Sequence, residues 1–471
     1  MKALSLLTLA LATACLASAQ SRQEPSRPDE RARLEPGALA WLKGNIAPFA
    51  VDVPTPEDLK PMMAALSGAR VVGIGEATHG DQQSQLFKTH AIRELVRQGR
   101  IESLMLEVNR TPGAQFDAFV NEGKGDLASL IADSGLFAIW RTDEFASLIL
   151  WLRAHVLRTG KPIRIYGIDC QDAGADFAFA LKWLERHNHR DARRIGQQLK
   201  PLTDSVGGSR GYFGWLKTQK PGDYKLYHDA GVALLKSLET QQGKKNAPAG
   251  VAEAIYAART GIQGLDAFEF EFGPGDLDYS KAPVGYFARR DVFMGANLVQ
   301  LLGKDRAALW AHDMHTGAVV PPLAAMSGLK TVGTELRRFL GEAYVAVGFA
   351  WTVGSFRAKR QVGNETMAES RAREGEIFSL GCDQPGDLGE FLGRVGPDHF
   401  YVDFRRADEA TKAWAKLPYY RGWAGWNVDP KTWHTSPMEE SAPSFPTHDI
   451  LVYSRRIGPS TVWQLPAKKT R

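Results

Sequence analysis

The sequence predicts an α/β fold: a mostly parallel sheet flanked by helices, with a helical insertion that forms a cap or second lobe. Three observations predict it. Short, continuously apolar runs recur along the chain, as expected of strands covered on both faces. Longer amphipathic stretches alternate with them, which is the βαβ pattern. One long stretch has helical patterning and no convincing strand.

The elements follow in order. Lys2 precedes an apolar run over residues 3–16, and Ala17-Ser18-Ala19 forms an A-x-A cleavage pattern before Gln20. Residues 1–19 therefore read as a secretory signal peptide, and the protein as exported, periplasmic or secreted. A lipoprotein reading at Cys15 is weaker, because Ala12 stands where leucine is usual. Residues 20–38 are polar and proline-containing and read as a linker, leaving residues 39–471 as the folded domain. Strands are predicted at 70–75 (RVVGIG), 103–108 (SLMLEV), 163–169 (IRIYGID), 307–311 (AALWA), 344–350 (YVAVGFA), 400–404 and 450–453. Helices lie between them, for example over 82–98 and 144–159. The insertion spans about 174–264, with helical segments at 177–188, 224–241 and 252–262. No repeat of period ~20–50 residues is present.

Composition narrows the function. Hydrophobic residues make up 44% and charged residues 24%, so the chain is globular rather than disordered, collagen-like or coiled-coil. The 58 basic and 53 acidic residues leave a net charge of +5, too small an excess to support nucleic-acid binding. After the leader, no apolar run reaches the ~18 residues that would span a bilayer, so no membrane insertion is expected. Of the 3 cysteines, only Cys170 and Cys382 lie outside the leader. A bond between them and two buried free thiols both fit. No CxxC or paired Cys/His spacing points to structural zinc.

The chemistry-bearing residues follow the predicted strands. Glu76 and His79 come after the first, Glu107 near the end of the second and Asp169 at the end of the third. His312, Asp313 and His315 come after the fourth. Ligands of open α/β sheets bind at the carboxyl ends of strands, so four segments deliver acids and histidines to one rim. In Glu76-Ala77-Thr78-His79, the spacing allows a carboxylate to orient a histidine that acts as general base. The alternative is a helix-capping pair with glycines that only turn the chain. His312 and His315 suit metal ligation or polarisation of a carbonyl; alone, they would read as one core and one solvated histidine. No nucleophilic serine stands out: GGSRG (207–211) lies in the helical stretch and SGLK (327–330) does not directly follow a predicted strand, which favours activated water over a covalent acyl-enzyme.

These residues resemble the erythromycin esterase family. The resemblance rests on GEATHG (75–80), LMLEVNR (104–110) and WAHDMHTG (310–317), the last similar to that family's W-x-H-N-x-H segment. YGID (166–169), RDVFMGAN (290–297) and the segment 332–356 follow in the family's order. Together they cover roughly residues 69–453. The resemblance implies a hydrolase domain that opens a macrolide-type lactone or other carboxylic ester with water and no required metal or cofactor. It implies that His79 is the general base, that Glu76 and Glu107 are its carboxylate partners, and that His312 and His315 bind or polarise the ester. It further implies that Lys88, Arg290 and Asp169 face the substrate. Two positions depart from the pattern: Gln83 stands where many members have glutamate, and Asp313 where asparagine is usual. Both leave the histidines in place and bear on substrate choice.

Two other readings use the same residues. One places a divalent metal among Glu76, His79, Glu107 and His312 or His315. The other is a non-catalytic binder of a polyketide or glycan. The expected partner is a small molecule; oligomeric state is not readable. Trp414, Tyr419, Tyr420, Trp423, Trp426 and Trp433 crowd one stretch near the C-terminus. They either line a large apolar pocket or pack a loop-rich region onto the core.

Overall fold

A computed structural model describes residues 28–49, 53–133, 136–204, 208–269, 272, 284–320, 328–360, 375–431, 433 and 447–463. The segment read as a leader, residues 1–19, lies outside the described residues.

Ten strands form one sheet in the order β1-β8-β10-β6-β2-β5-β3-β4, with β7 and β9 pairing to β6 off this path. They are β1 (Ala47–Pro48), β2 (Val71–Ile74), β3 (Ser103–Asn109), β4 (Arg164–Asp169), β5 (Ala307–Trp310), β6 (Tyr344–Arg360), β7 (Glu376–Gly381), β8 (His399–Asp403), β9 (Asn427–Val428) and β10 (Ile450–Ile457). The run from β4 through β3, β5, β2 and β6 to β10 is parallel throughout. The antiparallel pairs are β10 with β8, β8 with β1, and β6 with β7.

The apolar runs are explained by two cores. Leu104 and Leu106 of β3, Val72 and Ile74 of β2, and Ala308 and Trp310 of β5 pack into a core with Phe87, Phe145 and Leu152. The alternate residues Met105, Val71, Ala307 and Leu309 pack into a second core with Met294, Leu298 and Leu336. Successive strand side chains point to opposite faces, so a strand covered on both sides is apolar at every position. This parity also aims Glu107 to the Met105 face, towards the helix Val284–Leu302.

Between β4 and β5 the described residues are helical: Ala173–His187, His189–Thr203, Gly208–Leu216, Asp223–Gln242 and Val251–Ala267 precede Val284–Leu302. The first five enclose a core of their own, including Phe177, Leu184, Ile195, Leu199, Leu234, Leu238 and Leu265. A buried ion pair joins this block to the sheet: Arg110 Nε donates to Asp176 Oδ1 at 2.7 Å.

Two expectations need correction. The segment 20–38, read as a linker, is helical from Pro28 in the helix Pro28–Asn45. Its polar composition hid an inward stripe. Ala38 and Leu42 are fully buried in a core with Phe391, Phe404 and Trp414, and that burial holds the helix despite Pro36 inside it. The strand predicted at 344–350 runs on to Arg360 and pairs with β7, which the sequence did not signal. In β7 only Phe378 is buried, so neither a continuous nor a cleanly alternating apolar pattern marks it.

Cys170 and Cys382 are both buried, in different cores, and are not bonded to each other. Among the described residues no helix is long and apolar enough to cross a membrane.

Candidate active site

The strand register brings the predicted site residues together. Trp310 of β5 pairs with Ile74 on one side and Leu106 on the other, and Asn109 pairs with Asp169. Four adjacent strands thus end at one level, roughly 4.8 Å apart. Glu76 and His79 follow β2, Glu107 lies near the end of β3, Asp169 ends β4, and His312 and His315 follow β5.

The turn after β2 is shaped by close approach. A β-carbon on Gly75 would lie 1.9 Å from Asp313 Oδ1, and one on Gly80 would lie 1.8 Å from the Arg357 carbonyl oxygen. Glycine is required at both positions for space, although neither has a positive φ. Asp81 ends the turn as N-cap of the helix Gln82–Arg97, accepting from the Ser84 amide at 2.6 Å. The helix cap is therefore Asp81, and Glu76 and His79 are left for other work.

His79 donates from Nδ1 to Glu76 Oε1 at 2.6 Å. Among the described residues its Nε2 has no hydrogen-bonding partner, and the side chain is 11% exposed. The other Glu76 oxygen accepts from Lys88 Nζ. Burial alone would raise the Glu76 pKa; Lys88 and His79 outweigh it and hold the carboxylate below its ordinary value. Burial holds the Lys88 ammonium below its usual range against the pull of Glu76.

On the other side of the cluster, Glu107 Oε1 accepts from Arg290 Nη2 at 3.0 Å and forms an ion pair with His315 Nε2 at 3.0 Å. Its Oε2 accepts from the His312 amide at 3.0 Å. Burial would raise the Glu107 pKa, but His315 and Arg290 hold it well below the usual range. His315 Nδ1 lies 2.9 Å from both oxygens of Asp291. Burial acts to lower the His315 pKa, and Asp291 and Glu107 overcome it, pushing it up to about 10. Arg290 Nη1 also lies 3.2 Å from His315 Nε2 and would need that nitrogen as an acceptor. A carboxylate on each ring nitrogen favours the imidazolium, with Arg290 satisfied by Glu107 and by Asp169 at 2.7 and 3.0 Å.

His312 is of a third kind. Its Nε2–H donates to the carbonyls of Ala424 and Ala77 at 3.2 and 3.3 Å, and its Nδ1 accepts from the Met314 amide at 3.2 Å. Burial and the nearby His79 push its pKa down to about 3. It is a neutral ring with both nitrogens engaged by backbone. Its centre lies 4.7 Å from that of His79.

The structure therefore brings Glu76, His79, Glu107, His312 and His315 into one cluster. The expectation that Lys88 and Asp169 meet a substrate does not fit their burial. Lys88 is 0% exposed, beneath Glu76 and 4.4 Å from the Trp310 ring centre. Asp169 is 1% exposed, closed by Arg290 and the Cys170 amide. Each supports the charge of a site residue. Arg290, partly exposed, is divided between two carboxylates. Trp414, Tyr419 and Trp433 of the C-terminal cluster are buried against Phe391, Trp351 and Phe356, so for these three the packing alternative holds. Asp291 and Arg421 belong to the site's surroundings and were not read from sequence; Asp291 sits beside Arg290 within the quoted RDVFMGAN run. Among the described residues no three His, Cys, Asp or Glu side chains are grouped to hold a metal ion.

Comparisons with known proteins bear on the fold and the family. The erythromycin esterase family profile matches residues 98–456, which include Glu107, Asp169, Arg290, His312 and His315. The Glu76–His79 turn precedes the matched part and joins it in space. Erythromycin esterase type I of Escherichia coli is 25% identical over 109 residues, 23% of this chain. That alignment spans only 26% of the relative's length. A solved Bacillus cereus protein superposes with a TM-score of 0.76 at 21% identity, covering 91% of this chain and 99% of that one. A mutant of the erythromycin esterase EreC in its open conformation superposes with a TM-score of 0.63 at 13% identity, covering 88% and 97%. These structures share the fold, and the family match extends over more than half of the chain: it belongs to the erythromycin esterase family.

Proposed function

We propose that this chain is an exported hydrolase that cleaves a carboxylic ester or macrolide-type lactone, with His79 activating water. The observation that carries the reading is the state of the His79 ring. Glu76 orients it through Nδ1, while among the described residues Nε2 has no hydrogen-bonding partner and the side chain keeps 11% exposure. A water at Nε2 gives its proton to the ring as its oxygen attacks the ester carbonyl carbon. The carbonyl oxygen becomes an oxyanion on a rim that carries Arg290 and His315 as cations. Collapse breaks the bond to the alcohol oxygen, which takes the proton from His79, leaving an acid and an alcohol.

Family membership supports hydrolysis of a small molecule, and the name of the Escherichia coli relative supports an ester bond. The A-x-A pattern at residues 17–19 supports export. An exported enzyme meets its ester outside the cytoplasm. N-terminal sequencing of the cell-associated protein should find a chain starting near Gln20; an intact Met1 would contradict export. His79→Ala should lower turnover on a panel of lactones and aryl esters by about 10²–10⁴-fold, the usual worth of a general base, with the melting temperature nearly unchanged. Near-normal turnover in that variant would overturn the mechanism.

A further inference from the structure

We propose that Arg421 is a positioning residue of this site, acting through Ala424 on His312 and on the turn that presents His79. The proposal rests on reading that turn as the catalytic one, but half of its test does not.

Arg421 is 1% exposed and joins four segments. Its Nη2 donates to Asp313 Oδ2 at 3.1 Å and to the Phe349 carbonyl at 2.9 Å. Its Nη1 donates to Thr447 Oγ1 at 3.2 Å. The guanidinium lies 4.5 Å over the Trp423 ring. Asp313 Oδ2 also accepts from the Phe349 amide at 2.9 Å. Asp313 and Arg421 thus close on the N–H and C=O of one β6 residue. Buried guanidinium and carboxylate groups in such a pair hold each other strictly, because an unpaired partner would be an uncompensated charge.

Three residues beyond Arg421, the chain touches the site. The Ala424 amide donates to the Ala77 carbonyl at 2.9 Å, inside the turn between Glu76 and His79. The Ala424 carbonyl accepts from His312 Nε2 at 3.2 Å and so sets that ring's tautomer. Thr78 and Ala424 form an isolated parallel bridge. The segment 417–426 forms no helix and joins its neighbours only through single bridges at Tyr420 and Ala424, so its position depends on side-chain anchors. Arg421 is the buried charged anchor. The Asp313 amide donates to the Glu76 carbonyl at 3.0 Å, so the same clamp reaches the turn by a second route.

The test compares Arg421→Lys and Asp313→Asn with the unmodified full chain. Lysine keeps a charge but loses the fork; asparagine keeps the shape, and its carbonyl still accepts from Phe349 and Arg421. Three readouts are taken: thermal melts, kcat and KM on the best ester, and the His312 Nε2–H resonance of nitrogen-15-labelled protein without substrate. For Arg421→Lys, kcat should fall about 10- to 100-fold, the range for losing groups that orient a functional histidine, with KM within about threefold. The buried His312 proton signal should shift or vanish by exchange. Asp313→Asn should move both in the same direction, with kcat falling no more than about tenfold. If Arg421→Lys does not fold, Asp313→Asn carries the test. A lowered melting temperature with kcat and the His312 signal both intact would make Arg421 a packing residue and overturn the proposal. The resonance is read without turnover, so a protein that cleaves no tested ester still tests the clamp.

Discussion

On one side of the cluster, His79 shares a single carboxylate with a buried lysine; on the other, His315 lies between two carboxylates beside an arginine. Among the described residues one nitrogen of the His79 ring has no partner, whereas both nitrogens of His315 are engaged. Two histidines, each closing a three-residue spacing in Glu76–His79 and His312–His315, thus acquire different chemistry. The difference comes from what the sheet faces receive. Glu76 meets Lys88 from the helix Gln82–Arg97, and Glu107 meets Arg290 from the helix Val284–Leu302. The histidine proposed to exchange a proton is held by one nitrogen, and the histidine beside two carboxylates is held by both.

The harshest way to break this contrast is Glu107→Gln. It leaves Arg290 and His315 facing each other without the charge between them. Breaking a buried ion pair costs about 3–5 kcal/mol, and turnover should fall at least ~10²-fold. Melts and ester assays on the same preparation check both. A variant that loses stability but keeps turnover would reduce the His315 side to scaffold.

A second prediction sharpens the contrast through pH. The folded-state pKa of His315 is raised from 6.5 to about 10 by Asp291 and Glu107 against burial. Its stabilising contribution is therefore complete below the unfolded value and is lost as pH rises towards 10. The melting temperature should decline between about pH 6.5 and 10, and His315→Gln should flatten that decline. An equal decline in both proteins would show that His315 carries no fixed charge.

The smallest effect is expected from Lys88→Met, which fills the same space without charge. Glu76 has a lowered pKa, so its contribution is present above its ordinary value and lost as pH falls through the folded one. Without Lys88 that loss moves to higher pH. The acid limb of the pH–turnover profile and of the melting curve should both shift upward, with turnover in the alkaline range changing less than in Glu107→Gln. An unshifted acid limb would separate Lys88 from the chemistry.

The order of strands and helices was largely legible, because central strands buried on both faces are apolar at every position. The helical block between β4 and β5 was legible from its length and its lack of strand patterns. The convergence of Glu76, Glu107, Asp169 and His312 on one rim followed from their places after successive strands. The helix Pro28–Asn45 was not legible, because two fully buried side chains, Ala38 and Leu42, hold a mostly polar segment in place. β7 was missed because one buried phenylalanine makes no pattern.

Taken alone, the sequence determined which strands are central, which residues stand at their carboxyl ends, and the family motifs those residues form. These are local properties: periodicity of burial and spacing along the chain. Only the tertiary structure decided what each histidine does. Asp291, Lys88 and Ala424 reach their histidines from segments distant in sequence or by way of a second carboxylate, and protonation state depends on such neighbours rather than on residue type. Sequence spacing placed His312 and His315 as a pair; the backbone carbonyls around one and the carboxylates around the other made them a neutral ring and a cation.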